Sequence, residues 1–164
     1  MNRTTLYNQH AALGATFTDF GGWEMPVRYG SDLAEHEAVR NSAGLFDISH
    51  MGEIVVVGAQ AEDFLDSKLI NLASKITPGR AKYSMLLNES GGIIDDLIVY
   101  RLSEEEFLIV ANASNKDAVS ADLVPTGFDC IVEDQSDKWS MIALQGPKSL
   151  EVLDRFVSEP ITIG

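Results

Sequence analysis

Tyr83-Ser84-Met85-Leu86-Leu87, Asn88-Glu89-Ser90-Gly91-Gly92 and Ile93-Ile94-Asp95-Asp96-Leu97-Ile98-Val99-Tyr100 run on without a gap. The first piece reads as a strand, the second as a turn of hairpin type, and the third as a long strand reaching about Leu102. Working outward, Ser103-Glu104-Glu105 makes the next turn and Phe107-Leu108-Ile109-Val110 another strand. Asn115 is placed to cap a helix through about Leu123, which Pro125-Thr126-Gly127 breaks before a last strand at Cys130-Ile131-Val132. Upstream, Glu53-Ile54-Val55-Val56-Val57 is a buried-strand run ended by Gly58, and Ala61, Phe64, Leu65 and Leu69 mark an amphipathic helix. Residues 51 to 134 therefore read βαβββαβ, the split βαβ or ferredoxin-like order with an extra strand. The expectation is an α+β fold with one antiparallel sheet backed on one face by two helices. The opposite face must be covered by something else, or bind something.

The flanking segments read as parts of a second α+β domain into which residues 51–137 are inserted. Residues 1–50 form its first part, and 138–164 begin the return. Residues 1–30 look irregular, with Phe20-Gly21-Gly22-Trp23 a structured loop. A helix follows, with Asp32 as cap, Glu35 three residues on as in a capping box, and Gly44 as its stop. Trp139 to Leu144 reads as a strand, and Leu150, Val152, Leu153 and Phe156 give a helical period.

Composition narrows the function classes. Hydrophobic residues make up 45% of the 164, enough to build a core. No window approaches the roughly eighteen apolar residues of a membrane span. Twelve Lys+Arg against 25 Asp+Glu give a net charge of −13, which argues against duplex nucleic acid as main partner. Cys130 has no second cysteine to pair with and reads as a small buried hydrophobe. With it, the scattered His10, His36 and His50 supply no zinc pattern. The start of the chain has no signal-type apolar segment, so a cytoplasmic protein is expected.

The chemistry concentrates in the long strand. Strict alternation puts Ile94, Asp96, Ile98 and Tyr100 on one face, and Ile93, Asp95, Leu97 and Val99 on the other. Either way a carboxylate sits in an apolar row and needs a donor, a cation or exposure. In one reading the pair is structural: one Asp bonds turn amides near Gly91-Gly92 and the other meets solvent. In the other, a carboxylate is held dry to bind a polar ligand group. Spacing does not choose between Asp95 and Asp96. His50, without a nucleophile at a useful spacing, reads as a satisfied structural histidine, Met51 and Tyr83 as core, and Asn112 as a turn or cap residue.

Five segments also resemble a known family in order and spacing. They are Asp19-Phe20-Gly21-Gly22-Trp23-Glu24-Met25-Pro26, Phe46-Asp47-Ile48-Ser49-His50-Met51-Gly52, Gly91 to Tyr100, Val110-Ala111-Asn112-Ala113 and Leu144-Gln145-Gly146-Pro147. Together they are similar to the amino-terminal part of the glycine cleavage system T proteins, the aminomethyltransferases. Arg80-Ala81-Lys82-Tyr83-Ser84 also fits, and the likeness runs from residue 3 to about 155. The resemblance implies transfer of the methylene carbon of an aminomethyl group, carried on the lipoyl arm of the H protein, to tetrahydrofolate with release of ammonia. It implies no metal. The lipoylated H protein and folate are the implied partners, with no nucleic acid or membrane. It implies a folate-binding T-protein fold whose middle, ferredoxin-like domain is a continuous insert. Carried over residue by residue, Asp96 falls on the carboxylate that faces the folate amines, expected to be catalytic and to be shielded from water in an apolar cleft. Met51, Tyr83, Ile98 and Tyr100 fall on the folate pocket, and Asn112 near it. Family members are more than twice this length, so the expectation is a truncated fold, inactive alone. The alternatives are another folate-dependent transferase, such as a dimethylsulfoniopropionate demethylase, or a non-catalytic folate-binding fragment.

Overall fold

The computed structural model describes residues 1–159. In chain order the elements are α1 (Tyr7–Ala12), β1 (Thr16–Phe20), β2 (Trp23–Arg28), α2 (Asp32–Asn41), β3 (Gly44–Asp47), β4 (Gly52–Val57) and α3 (Ala61–Lys68). There follow β5 (Arg80–Leu87), β6 (Ile93–Arg101), β7 (Glu106–Ala111), α4 (Lys116–Asp122), β8 (Ile131–Asp134), β9 (Ile142–Gln145) and α5 (Ser149–Leu153). They fall into two compact units: Met51–Trp139, and Met1–His50 with the chain from Ser140 onward.

The Met51–Trp139 unit holds a five-stranded sheet in the order β5-β6-β7-β4-β8, with every pairing antiparallel. Removing β5 leaves β8-β4-β7-β6, the split βαβ arrangement in which β4 and β6 run parallel with β7 between them. The strand β5 is the extra one, folded back on the edge by the Asn88–Gly92 turn. There the Asn88 side-chain oxygen accepts from the amides of Ser90 and Gly92 at 3.0 and 2.8 Å. β-branched and aromatic residues favour the pleated conformation over most of β6.

One face of this sheet is buried. Ile54 and Val56 of β4, Leu97 and Val99 of β6, and Phe107 and Ile109 of β7 are all at most 2% exposed. They pack with Ala61, Phe64 and Leu65 of α3, at positions i, i+3 and i+4, and with Val119 of α4 and Leu123 beyond it. Each large side chain so buried contributes about 1.5–3 kcal/mol. Cys130 is half-buried against the same cluster, and burial, with Asp129 behind it, pushes its thiol up.

Gly58 ends β4 with φ +143°, and a Cβ there would lie 2.6 Å from both the Asp129 carbonyl oxygen and Cys130 Cα. Both are backbone atoms and cannot swing aside. Gly58→Ala is expected to destabilise this unit by about 2–4 kcal/mol, read as a lower urea midpoint at unchanged slope.

The other unit differs more from the sequence expectation. Residues 1–30 are not irregular: α1 leads into a β1–β2 hairpin that closes at Phe20↔Trp23. Gly21 and Gly22 have φ +60° and +88°, the left-handed pair a two-residue type I′ turn needs, and the Asp19 carboxylate accepts from Gly22 N at 2.8 Å. Pro26 within β2 and the polar Thr16, Thr18 and Asp19 of β1 hide the alternation; a two-stranded ribbon is all edge and tolerates the proline. Ser31, not Asp32, caps α2 by accepting from Ala34 N, while Glu35 accepts from the amides of Tyr29 and Gly30 at 2.9 Å. Gly44 does not stop that helix but opens β3, which pairs antiparallel with β9 from Gly44↔Gln145 to Asp47↔Ile142. The helix α5 ends at Leu153, and Phe156 is exposed.

A buried polar knot ties this unit together. The Asp47 carboxylate takes hydrogen bonds from Thr4 Oγ1 at 2.5 Å and Ser49 N at 3.0 Å, with His10 Nε2 at 2.9 Å. Tyr29 Oη lies 2.7 Å from His10 Nδ1. Burial pushes the Asp47 carboxyl up, but the bonds from Thr4, His10 and Ser49 outweigh it and hold it below the ordinary carboxylate range.

Candidate functional site

The second face of the five-stranded sheet carries the predicted site residues. Tyr83↔Ile98, Ile98↔Val110 and Val110↔Glu53 are register pairs, so these four side chains form one cross-strand row. The row beside it pairs Met85 with Asp96. Asn112, just past β7, reaches Asp96 from the far side, and Met51 stands one residue ahead of Gly52, the partner of Ala111. On the other side of the central row, Ala81, Tyr100 and Leu108 make a third. Five of the expected residues — Tyr83, Asp96, Ile98, Tyr100 and Asn112 — thus belong to one patch, while Met51 lies just ahead of β4.

Solvent reaches the middle of it: Tyr83 is 54% exposed, Tyr100 38% and Ile98 37%. An open platform of two phenol rings and an isoleucine, with a carboxylate at its border, suits a flat ring system that carries N–H donors. The phenol of Tyr83 donates to Asp96 Oδ2 at 2.5 Å, and that bond holds the Tyr83 hydroxyl above its ordinary range. Asn112 Nδ2 donates to Asp96 Oδ1 at 3.2 Å and to the Asp96 carbonyl at 2.8 Å.

The two aspartates have opposite surroundings. Asp96 is exposed; Asp95 is 1% exposed and faces the helix side. The carboxylate held dry is therefore Asp95, and Asp96 is not the shielded group expected of it but lies open to solvent at the strand surface. It does not bond the Gly91-Gly92 amides, a task taken by Asn88. Its donors are Asn112 N at 2.9 Å, Asn112 Nδ2 at 3.0 Å and Asn115 Nδ2 at 2.6 Å. Asn115 does occupy the cap position of α4, but its side chain makes no cap bond and serves Asp95 instead. Strict alternation also misplaces Ile94. The register slips between Leu86 and Leu87, opposite Ile93 to Asp95, and Ile94 packs against the core.

Two titratable groups stand out beyond the expected set. Glu53, in the central row, is 1% exposed with neither carboxylate oxygen hydrogen-bonded among the described residues. Burial first, then nearby Asp134, against the pull of Lys116, pushes its carboxyl up to about 7. The lone acidic residue heading an apolar run was the available signal. His50 is not the satisfied histidine expected from sequence: its Nδ1 is buried without a partner among the described residues, burial pulls its pKa down, and Phe20 packs edge-on with ring centroids 5.6 Å apart. Among the described residues, no group of three or more His, Cys, Asp or Glu is placed to hold a metal ion, and no helix is long and apolar enough to cross a membrane.

Known proteins share this fold. The profile of the GCVT N-terminal domain matches residues 6–162. The chain belongs to that family. Aminomethyltransferase from Corynebacterium jeikeium is 54% identical over 170 residues, covering 100% of this chain and 44% of the relative. The Saccharopolyspora erythraea aminomethyltransferase is 52% identical, covering 98% and 44%. Among solved structures, the glycine cleavage system aminomethyltransferase T from Bartonella henselae superposes with a TM-score of 0.90 at 44% identity, covering 94% of this chain and 43% of that one. The fold is thus the amino-terminal part of a T-protein fold, and the chain spans less than half the length of these GCVT relatives.

Proposed function

We propose that this chain supplies the tetrahydrofolate-facing sheet of an aminomethyltransferase, which moves the methylene carbon of an aminomethyl group from the lipoyl arm of the H protein to tetrahydrofolate and releases ammonia. The observation that carries the reading is the exposed Asp96 carboxylate, fixed by Tyr83 and Asn112 at the border of the Tyr83–Ile98–Tyr100 platform. A pterin ring system is flat and edged with N–H groups. The platform offers it apolar area and the carboxylate accepts its donors, so the residues present fit the group. When bound, tetrahydrofolate supplies the nitrogens that take up the carbon. Asp96 orients the accepting nitrogen and stabilises the positive charge that develops there during transfer. Asn112 borders the same patch and limits how the ring slides along it; Met51, just ahead of β4, is the family-implied contact from that side. The partner in the reaction is the lipoylated H protein, and a cytoplasmic setting suits the pairing.

A titration tests this directly. The 164-residue chain is expected to bind tetrahydrofolate weakly and to release no ammonia from aminomethylated H protein. Asp96→Asn is expected to weaken that binding roughly 10–100-fold, the worth of a charge-assisted hydrogen bond. Binding that is indifferent to Asp96→Asn, or methyl transfer from a sulfonium compound in place of ammonia chemistry, would overturn the assignment.

A further inference from the structure

We propose that Asp95 is a positioning residue for Asp96, acting through the side chain of Asn112. A carboxylate sealed into the helix side of the sheet is costly, and three N–H groups are spent on satisfying it. Two of the three come from asparagine side chains, and one of those, Asn112, also serves the exposed aspartate. Successive residues of β6 point to opposite faces, so Asp95 and Asp96 cannot meet directly. Asn112 sits beyond the end of β7, where one amide nitrogen reaches both: Asp95 Oδ1 at 3.0 Å, Asp96 Oδ1 at 3.2 Å and the Asp96 carbonyl at 2.8 Å. All three neighbours are acceptors only, so the amide has a single sensible orientation, nitrogen inward. Asn115 in turn pins Asp95 Oδ1 at 2.6 Å. The chain Asn115–Asp95–Asn112–Asp96 therefore aims one N–H of Asn112, shared with the Asp96 carbonyl, at one oxygen of the Asp96 carboxylate, while Tyr83 holds the other oxygen. The exposed carboxylate is aimed before any ligand arrives, which lowers the ordering cost of binding.

The functional consequence rests on the folate reading; the positioning itself does not, and the two are tested separately. In the unliganded 164-residue chain, Asp95→Asn puts an amide where only acceptors now stand. It is expected to shift the Asn112 side-chain amide resonances and the Asp96 carboxyl carbon, with the backbone amides of β4 and β8 in place. A folded variant in which both signals stay put overturns the proposal. Should Asp95→Asn not fold, Asn115→Ala, which removes one donor and leaves both aspartates, is read by the same two signals and the same criterion. Tetrahydrofolate titration supplies the second arm. Asp95→Asn is expected to weaken binding about 10-fold in the native background and to add nothing to Asp96→Asn. Equal losses in both backgrounds would mean a merely structural Asp95 and overturn the proposal. Absence of tetrahydrofolate binding by the native chain would sink the folate reading instead, and the resonances of the unliganded chain would then decide the positioning alone.

Discussion

Asp96→Asn is expected to slow aminomethyl transfer about 10²–10⁴-fold in a polypeptide that continues these residues to the length of an aminomethyltransferase such as the Corynebacterium jeikeium relative. The substitution keeps the shape of the side chain and removes its charge. Tyr83 can still donate to an amide oxygen, but the Asn112 nitrogen then faces a second nitrogen or must turn away. On the proposed reading, what is lost is a fixed negative charge beside the accepting nitrogen, and such a charge acts on the transition state more than on the ground state. Stability is expected to change by no more than about 0.5 kcal/mol, because Asp96 is exposed and its removal opens no cavity. The measurement is ammonia release with aminomethylated H protein and tetrahydrofolate, alongside a thermal melt. A native rate from a native-like fold would remove Asp96 from the mechanism and leave the sheet face as a binding platform only.

The strand order of the inserted unit was legible because its signals are local. Runs such as Ile54 to Val57 and Phe107 to Val110 declare buried strands, and the Asn88–Gly92 turn declares a hairpin. Which aspartate faces which side was not legible. That depends on the register slip at Leu86/Leu87 and on helices packing against the Asp95 face, and neither leaves a mark on the spacing of β6 itself. The family resemblance points to Asp96; alternation alone does not choose between the two. The roles of Asn112 and Asn115 were misread for a related reason. From sequence, an asparagine after a strand or before a helix is a turn or cap residue, because the competing partner, a buried carboxylate about twenty residues upstream, is a tertiary fact. In the other unit the β1–β2 hairpin was missed, although the glycine pair at its tip was in plain view. Its strands are too polar to show the alternation that flags a half-buried sheet. The knot around Asp47 joins Thr4, His10 and, through His10, Tyr29 by bonds that span 19 to 43 residues, where no sequence pattern operates.

Glu53→Gln should stabilise the Met51–Trp139 unit, and by an amount set by pH. Glu53 lies 1% exposed with both oxygens unpartnered among the described residues, and its carboxyl is pushed from 4.5 up to about 7. Beside burial, Asp134 raises it, while Lys116, paired to Asp134 at 3.4 Å, and the backbone amide of Glu53 itself lower it. Because the folded chain holds this proton more tightly than the unfolded chain, the folded state binds more protons between pH 4.5 and 7. Stability therefore falls as pH rises through that window, and the loss is complete above about 7. A shift of about 2.5 units at 1.36 kcal/mol each amounts to about 3 kcal/mol. Glutamine keeps the volume, carries no charge and cannot titrate, so the variant should gain about 3 kcal/mol over the native chain at pH 8 and close to nothing at pH 4.5. Urea unfolding of both proteins at several pH values measures the difference, in which the other carboxylates cancel. A gain that is the same at pH 4.5 and pH 8 would mean that Glu53 is not the titrating group. A loss at pH 8 would mean that its ionised oxygens find partners and that the charge is stabilising.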